Sequence, residues 1–331
     1  MLDPDSQEQR PIEQIFDILT SFPSDALEYV DESLPAPRRN QRATMAQMAQ
    51  RFARTHTEPM GVRFPLNFPD IPTRAPDNGV PSFLSSTSCT LLQDLLRAQL
   101  DVDEARICTC AAPPPPRCGH AISKRQFAAL TTAWIYWQGG TTMLSEAGTV
   151  TAPHWDQYGL STWISCLEGE IGLAWLVRPK NPEEHMRWLS DPGRPTARWA
   201  FKVLRPGDAL YMPSGTVHFV FRRPSGGQTL GYSEHLVRRR HLVGWLRVVG
   251  LTLGREDVDL EGYGLVLPPL MRQVRVLVKA VKAQGLEEMY GGKERLGEAL
   301  KLVGQVEKAI KSVFASWRSL PSHFLHAISL A

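Results

Sequence analysis

Two histidines and one aspartate are the residues of this chain whose types and spacing best suit chemistry. His154 and Asp156 are separated by one residue, and His218 ends the run PSGTVH much further along the chain. Two imidazoles and one carboxylate form the ligand set of a facial-triad iron(II) site, which leaves three adjacent metal positions open. Side chains at i and i+2 of a strand share a face, so His154 and Asp156 can hold one ion together. The third ligand must then come from a distant strand, as in a barrel of antiparallel strands.

The segments around these residues indicate a family. A strand-like stretch ending at a glycine, GLSTWISCLEG, follows the first ligand pair, and a Pro-Gly-Asp turn at 206–208 precedes the PSGTVH run. This order resembles the JmjC family of cupin-like iron(II)- and 2-oxoglutarate-dependent oxygenases, fungal-type members included, over roughly residues 130–240. The resemblance implies that His154, Asp156 and His218 bind Fe(II) and that 2-oxoglutarate is the cosubstrate. It also implies hydroxylation or demethylation of a protein side chain, with a histone as one candidate substrate.

The chain departs from the family pattern where 2-oxoglutarate would be anchored. In the family a lysine shortly after the barrel glycine pairs with the far carboxylate of the cosubstrate, and here that position is Ile171. A tyrosine of the family is matched by Ile164, so only Thr151 remains of the anchoring set. Isoleucine cannot donate a hydrogen bond, and an unpaired carboxylate in a closed pocket is costly.

A cation elsewhere in the predicted barrel can replace that lysine as the partner of the far carboxylate. Lys202 lies on a predicted strand, and Arg222 lies four residues beyond His218 on the same strand face. Either side chain can equally be a solvated edge charge. The sequence therefore leaves open an oxygenase with a substitute anchor and a metal-bearing barrel that serves as an interaction or scaffold module. A cupin that uses another divalent metal for non-oxidative chemistry is a third alternative.

Eight short strands punctuated by turn residues predict a double-stranded β-helix that positions these ligands. His235 falls at the end of the last strand, where it can be either structural or a neighbour of the ligands. The predicted strands are Thr141–Glu146, Thr149–Trp155, Leu160–Leu167, Ile171–Val177, Arg198–Leu204, Asp208–Met212, Val217–Arg222 and Gln228–His235.

At 331 residues the chain exceeds a lone barrel, so we expect a mostly β core with α extensions. Residues 1–125 are predicted to form a helical, loop-rich cover, 126–240 the JmjC barrel, and 241–331 a helical region that braces the barrel or forms a dimer face. Leu66–Pro72 is predicted to be extended and to pack on the barrel. The predicted helices are Ile12–Leu19, Ala43–Arg54, Cys89–Leu100, His241–Val249, Leu270–Ala283 and Glu294–Ser316.

The composition narrows the range of partners. A net charge of +3 is too small to indicate binding to nucleic acid or to a membrane surface. The basic run at 238–241 is interpreted as a solvated helix start, with contact to phosphate or an acidic partner as the alternative. No basic and apolar leader and no run of ~18 apolar residues occurs, so we expect an intracellular protein of the nucleus or cytoplasm. A homo-oligomer stays open.

Four residues before the barrel form a second candidate metal set. Cys108, Cys110, Cys118 and His120 could bind zinc, although the spacing does not match pairs of C-x2-C knuckles and a run of four prolines separates the two halves. Free thiols are the default interpretation. Cys166 is predicted to be a buried core residue.

Overall fold

Two antiparallel β-sheets form the centre of the molecule. The structure is a computed structural model, and the residues it describes are 10–20, 26–31, 40–57, 65–72, 91–95, 107–108, 122–123, 133, 140–177, 198–253 and 260–318. The strands are β1 Ala26–Asp31, β2 Asn40–Thr44, β3 Leu66–Pro72, β4 Ile107–Cys108, β5 Ile122–Ser123, β6 Thr141–Ser145, β7 Val150–His154, β8 Ser161–Glu168, β9 Ile171–Leu176, β10 Trp199–Leu204, β11 Ala209–Met212, β12 His218–Phe221 and β13 Thr229–Leu236. The helices are α1 Pro11–Thr20, α2 Met45–Thr57, α3 Leu242–Thr252, α4 Leu260–Ala283 and α5 Lys293–Arg318.

The strands from β6 onward divide between the two sheets. One sheet has the order β11-β8-β13-β6-β3-β1-β2, and the other has the order β10-β9-β12-β7. All eight strands predicted over 141–235 are confirmed within one residue at each end. Both sheets contribute to one apolar cluster, which therefore lies between them; its buried members are Met143, Ile164, Cys166, Ile171, Leu173, Leu204, Met212 and Val220. Cys166 is a buried free thiol, as predicted.

The N-terminal region extends the larger sheet. Helices α1 and α2 agree with the predicted ones, and the proline-flanked segment β3 pairs with β6 as an extended strand. Strands β1 and β2, which the sequence did not indicate, continue the sheet beyond β3. Glu146, only 1% exposed, joins this region to β6: it receives two hydrogen bonds from Arg51 at 2.8 and 2.7 Å and one from the Leu66 backbone N–H at 2.7 Å.

The C-terminal helices form a second apolar core with the helical residues 91–95. Helices α3 and α5 agree with prediction, but α4 begins ten residues before the predicted start at Leu270 and contains Pro268 and Pro269. Proline removes a helical hydrogen bond, which is why the sequence predicted a start after this pair. Here Leu267 and Leu270 are fully buried against the other helices, and that burial offsets the lost bond.

The basic run after β13 is partly engaged inside the molecule. Arg239, whose side chain is 13% exposed, donates two hydrogen bonds to Asp94 at 2.6 and 2.8 Å. The Arg238 guanidinium lies 4.6 Å from the centre of the Tyr211 ring. The interpretation of a solvated helix start is therefore wrong for these two arginines, although Arg240 is exposed.

Some predictions fall on parts of the chain that the structure does not describe. Cys108 lies in β4, whereas Cys110, Cys118 and His120 lie outside the described residues, so the zinc hypothesis stays a prediction. Within the described ranges no helix is both long and apolar enough to cross a membrane.

Candidate metal centre

The two predicted histidine ligands meet across a pair of strands. His154 ends β7 and His218 begins β12, and the two residues are direct partners in the antiparallel register. Their imidazole ring centres lie 4.4 Å apart. A register shift follows in β12, between His218 and Val220. The pairing brings together residues that are far apart in sequence, as the strand argument required.

Hydrogen bonds to the backbone orient both rings in the same way. Nδ1 of His154 is 2.8 Å from the Ala152 carbonyl oxygen, and Nδ1 of His218 is 3.0 Å from the Thr216 carbonyl oxygen. A carbonyl only accepts, so each Nδ1 carries the proton. Each Nε2 is then an unprotonated nitrogen that can bind a metal, the arrangement that metal-binding histidines adopt.

Asp156 completes the group. Its Oδ1 lies 4.0 Å from Nε2 of His218, and the candidate ligand atoms of the three residues all lie within 4.8 Å of one another. Cis ligands of an octahedral ion with bonds of about 2.1 Å are about 3 Å apart, so a bound ion would draw these atoms closer by roughly 1 Å. His154, Asp156 and His218 can therefore hold one metal ion.

The charge states of these residues suit metal binding. Burial opposes ionisation of Asp156, but the attraction of His218, His235 and His154 outweighs it and lowers the pKa of the carboxyl below its usual value. Burial lowers the pKa of His218 to about 4, against the opposing attraction of Asp156. Near neutral pH the carboxylate is therefore ionised and His218 is neutral, the states in which both groups bind metals.

A further hydrogen-bond chain reaches the second oxygen of Asp156. The Thr162 hydroxyl lies 2.6 Å from Asp156 Oδ2 and 2.7 Å from Nδ1 of His235. Thr162 is 4% exposed. Sequence reasoning missed Thr162, although its alternation with Ile164 and Cys166 along β8 would have placed it on the inner face. His235, left undecided by the sequence, belongs to this chain.

Helix α3 packs against both ligand-bearing segments. A Cβ on Gly159 would lie 2.5 Å from a methyl carbon of Val248, and a Cβ on Gly215 would lie 2.8 Å from the other. Both glycines have positive φ, +65° and +72°. The indole N–H of Trp245 also donates to the Tyr158 carbonyl oxygen at 2.9 Å, in the turn that follows Asp156. One helix thus supports the loops that carry Asp156 and His218.

The predicted cosubstrate residues lie in different environments. Thr151 is half-buried on β7, and its hydroxyl accepts a hydrogen bond from the Asn67 side chain at 3.0 Å. Lys202 is exposed on β10, which ends the smaller sheet. Ile164 and Ile171 are 3% and 0% exposed within the apolar cluster between the sheets.

Arg222 is a buried cation at the end of β12 away from His218. Its side chain is 3% exposed, and Nε donates to the Thr229 hydroxyl at 3.2 Å. Nη1 is also buried and has no hydrogen-bond partner among the described residues. Burial lowers the pKa of Arg222 to about 10, so the group is still charged near neutral pH.

The chain has only weak similarity to known proteins. No known protein family and no curated protein matches the chain. Among solved structures, Drosophila melanogaster CENP-C bound to CAL1 is 11% identical with a TM-score of 0.22, and the match covers 29% of this chain and 60% of that one. A second structure, of the Drosophila melanogaster CENP-C cupin domain, gives the same identity and TM-score and covers 59% of that chain. Peruvianin-I, a cysteine peptidase from Thevetia peruviana latex, is 20% identical with a TM-score of 0.21, over 28% of this chain and 47% of that one.

Proposed function

We propose that this chain is an Fe(II)- and 2-oxoglutarate-dependent dioxygenase of the JmjC type that hydroxylates or demethylates a protein side chain. The observation that carries the proposal is the convergence of His154, Asp156 and His218, with both imidazoles oriented by backbone carbonyls and the carboxylate ionised. Two nitrogens and one oxygen form the donor set of a facial triad.

The strand order supports a double-stranded β-helix as the fold that carries this site. Numbered from β6 as the first strand, one sheet contains strands 6-3-8-1 and the other 5-4-7-2. Every pair of successive strands except 4 and 5 thus crosses between the sheets, and each sheet is antiparallel throughout, as in an eight-stranded jelly roll. On this proposal residues 126–240 form the JmjC barrel, 1–125 its cover and 241–331 a helical region that braces it.

The residues present fit an iron ion. His154 and His218 would each bind through Nε2, and Asp156 would bind through Oδ1, which faces His218. Bound Fe(II) would supply coordination of 2-oxoglutarate and activation of dioxygen, chemistry that side chains alone do not provide. The chain's own contribution is to fix the three donors on one side of the ion and to leave the opposite side open.

Arg222 is the proposed anchor for the far carboxylate of 2-oxoglutarate. Phe221 pairs with Gly172 across β12 and β9, so by continuation of the antiparallel register Arg222 lies opposite Ile171. The cation that the family carries at the position of Ile171 would thus be supplied by the neighbouring strand at the same level. Arginine binds carboxylates through two parallel N–H groups, and Nη1 of Arg222 is available for this. Lys202 is less suited because it is exposed.

Thr151 is the second proposed contact to the cosubstrate. Its hydroxyl already accepts from Asn67, and a hydroxyl can still donate one hydrogen bond of its own. A protein substrate, with a histone as one candidate, and a nuclear or cytoplasmic location follow from the JmjC resemblance and belong to the same proposal.

The competing function is a metal-bearing barrel that acts as an interaction or scaffold module. The burial of Ile164 and Ile171 favours it, because these side chains fill with apolar atoms two positions that anchor 2-oxoglutarate in the family. The burial of the positively charged Arg222 favours the oxygenase, because a buried cation can pair with an anionic cosubstrate.

An anaerobic titration distinguishes the two functions. Protein loaded with Fe(II) is titrated with 2-oxoglutarate while the visible metal-to-ligand charge-transfer band is followed. We expect a saturable band in the native protein, no band in His154→Ala, and weaker 2-oxoglutarate binding with intact iron binding in Arg222→Met. Iron binding without a band would favour the scaffold function, and a protein that binds no iron would refute the metal site.

A further inference from the structure

The two oxygens of Asp156 have different surroundings. Oδ1 faces Nε2 of His218 at 4.0 Å, whereas Oδ2 is 2.6 Å from the Thr162 hydroxyl. A carboxylate can bind a metal through one oxygen or through both. Here the second oxygen already has a strong hydrogen-bond partner in the Thr162 hydroxyl.

The direction of each hydrogen bond follows from the number of protons. An ionised carboxylate only accepts, so the single hydroxyl hydrogen of Thr162 points to Asp156 Oδ2. The Thr162 oxygen must then accept from Nδ1 of His235, 2.7 Å away. The chain therefore runs from the His235 N–H through the Thr162 O–H to Asp156, and each link makes the next a better donor.

The β-sheet holds this chain in place. Thr162 in β8 and His235 in β13 are direct partners in the antiparallel register, so their spacing is set by the backbone hydrogen bonds of two central strands. Thr162 is 4% exposed, which leaves little room for water to replace it. The support of Asp156 is thus built into the larger sheet, whereas both histidine ligands lie on the smaller sheet.

We propose that Thr162 and His235 are positioning residues that hold Asp156 as a one-oxygen ligand and thereby set the metal affinity of the site. This inference rests on the proposed metal site, not on any particular reaction. Because Oδ2 is hydrogen-bonded, Asp156 takes only one coordination position. With one position each for His154 and His218, three of the six positions of an octahedral ion are left for exogenous ligands. Residues that orient metal ligands in this way typically contribute roughly 10- to 100-fold in affinity.

The test measures metal affinity and needs no turnover. Metal-free protein is titrated anaerobically with Co(II), and the visible spectrum of the bound ion is recorded. Thr162→Val replaces the hydroxyl with a methyl group of similar size, and we expect Co(II) binding to weaken roughly 10- to 100-fold with a changed spectrum. Thr162→Ser restores the hydroxyl and is expected to restore both affinity and spectrum, which a purely structural role of threonine would not predict.

A matched control separates positioning from general packing. Thr149 is 2% exposed and its hydroxyl bonds the Glu146 carbonyl oxygen, not a ligand. Thr149→Val should leave Co(II) affinity within about threefold of the native value, well below the effect expected at Thr162. If Thr162→Val does not fold, two variants of His235 provide the test. His235→Phe removes the N–H donor, and His235→Asn presents an amide N–H near the position of Nδ1.

The possible results distinguish failure of the positioning role from failure of the metal site. Weakened binding in Thr162→Val or His235→Phe, with recovery in the serine or asparagine variant, supports the proposal. Native affinity and spectrum in Thr162→Val and His235→Phe would overturn it while leaving the metal site and the proposed function intact. Failure of the native protein to bind Co(II) would overturn both.

Discussion

Replacing Arg222 with methionine is expected to stabilise the metal-free protein and to weaken 2-oxoglutarate binding. Most buried substitutions lose stability and function together, so opposite signs would be diagnostic. The expectation follows from the environment of the guanidinium, which is 3% exposed, donates through Nε to Thr229 and has no partner for Nη1 within the part of the chain that the structure describes.

The size of the effect can be worked from the pKa of the group. Burial lowers the pKa of Arg222 from the usual arginine value to about 10. At about 1.4 kcal/mol per pKa unit, the charged side chain costs about 3 kcal/mol of folding free energy. This cost is fully present below the folded-state value and is relieved only as pH rises from there toward the unfolded-state value, so near neutral pH it is complete. Methionine removes the cost and loses one hydrogen bond of about 1 kcal/mol, for a net gain of about 2 kcal/mol.

The assay is urea unfolding of the metal-free protein, followed by the melting temperature with and without Fe(II) and 2-oxoglutarate under anaerobic conditions. Arg222→Met should unfold at higher urea, and 2-oxoglutarate should raise its melting temperature less than it raises that of the native protein. Arg223→Met is the matched control, since that side chain is 58% exposed and should change stability by less than about 0.5 kcal/mol. A loss of stability in Arg222→Met, or an undiminished response to 2-oxoglutarate, would refute the reasoning.

Three other predictions concern the packing of helix α3, the buried ion pair at Glu146 and the titration of Glu234. Gly159→Ala adds a methyl 2.5 Å from Val248 at a residue with φ +65°, and should destabilise the protein by about 2–5 kcal/mol in urea unfolding. Gly207→Ala, with φ +91° and open space around it, should cost only the strain of about 1–2 kcal/mol; equal costs would contradict the contact with helix α3. Arg51→Met leaves Glu146 buried without its cation and should cost about 3–5 kcal/mol, an effect that Arg51→Met combined with Glu146→Gln should partly reverse. Burial raises the pKa of Glu234 to about 7, so this carboxyl contributes stability at pH 4.5 that is lost as pH rises to 7, in the opposite sense to His218. In urea unfolding at several pH values, the stability of Glu234→Gln relative to the native protein should therefore rise between pH 4.5 and 7, and a difference that does not change with pH would contradict this contribution of Glu234.

Local patterns were enough to predict the strands between Thr141 and Leu236 and the candidate metal-binding residues. Turn residues separate segments of typical strand length, and the pair His154–Asp156 needs only the two-residue period of a strand to share a face. The N-terminal strands β1 and β2 were missed because their sequences, ALEYVD and NQRAT, carry no clear alternation, and their strand state depends on pairing beside β3.

Interactions between distant segments account for most of what the sequence did not indicate. The contact from Thr162 to His235 joins residues 73 positions apart, and nothing near either residue specifies it. Whether Arg222 was buried or solvated could not be decided from its position four residues after His218, because burial depends on the strands around it. The prolines inside α4 show tertiary burial overriding a local rule that usually holds.

Because Val248 lies against both Gly159 and Gly215, metal binding at the proposed site and the packing of helix α3 would be reciprocal. If packing of this helix raises the affinity for metal by a given factor, bound metal must raise the equilibrium constant for packing of the helix by the same factor. Amide hydrogens of α3 should therefore exchange with deuterium more slowly once the site is filled, although none of them belongs to a ligand. Loss of the metal and loosening of helix α3 would then be thermodynamically coupled, so that either one promotes the other.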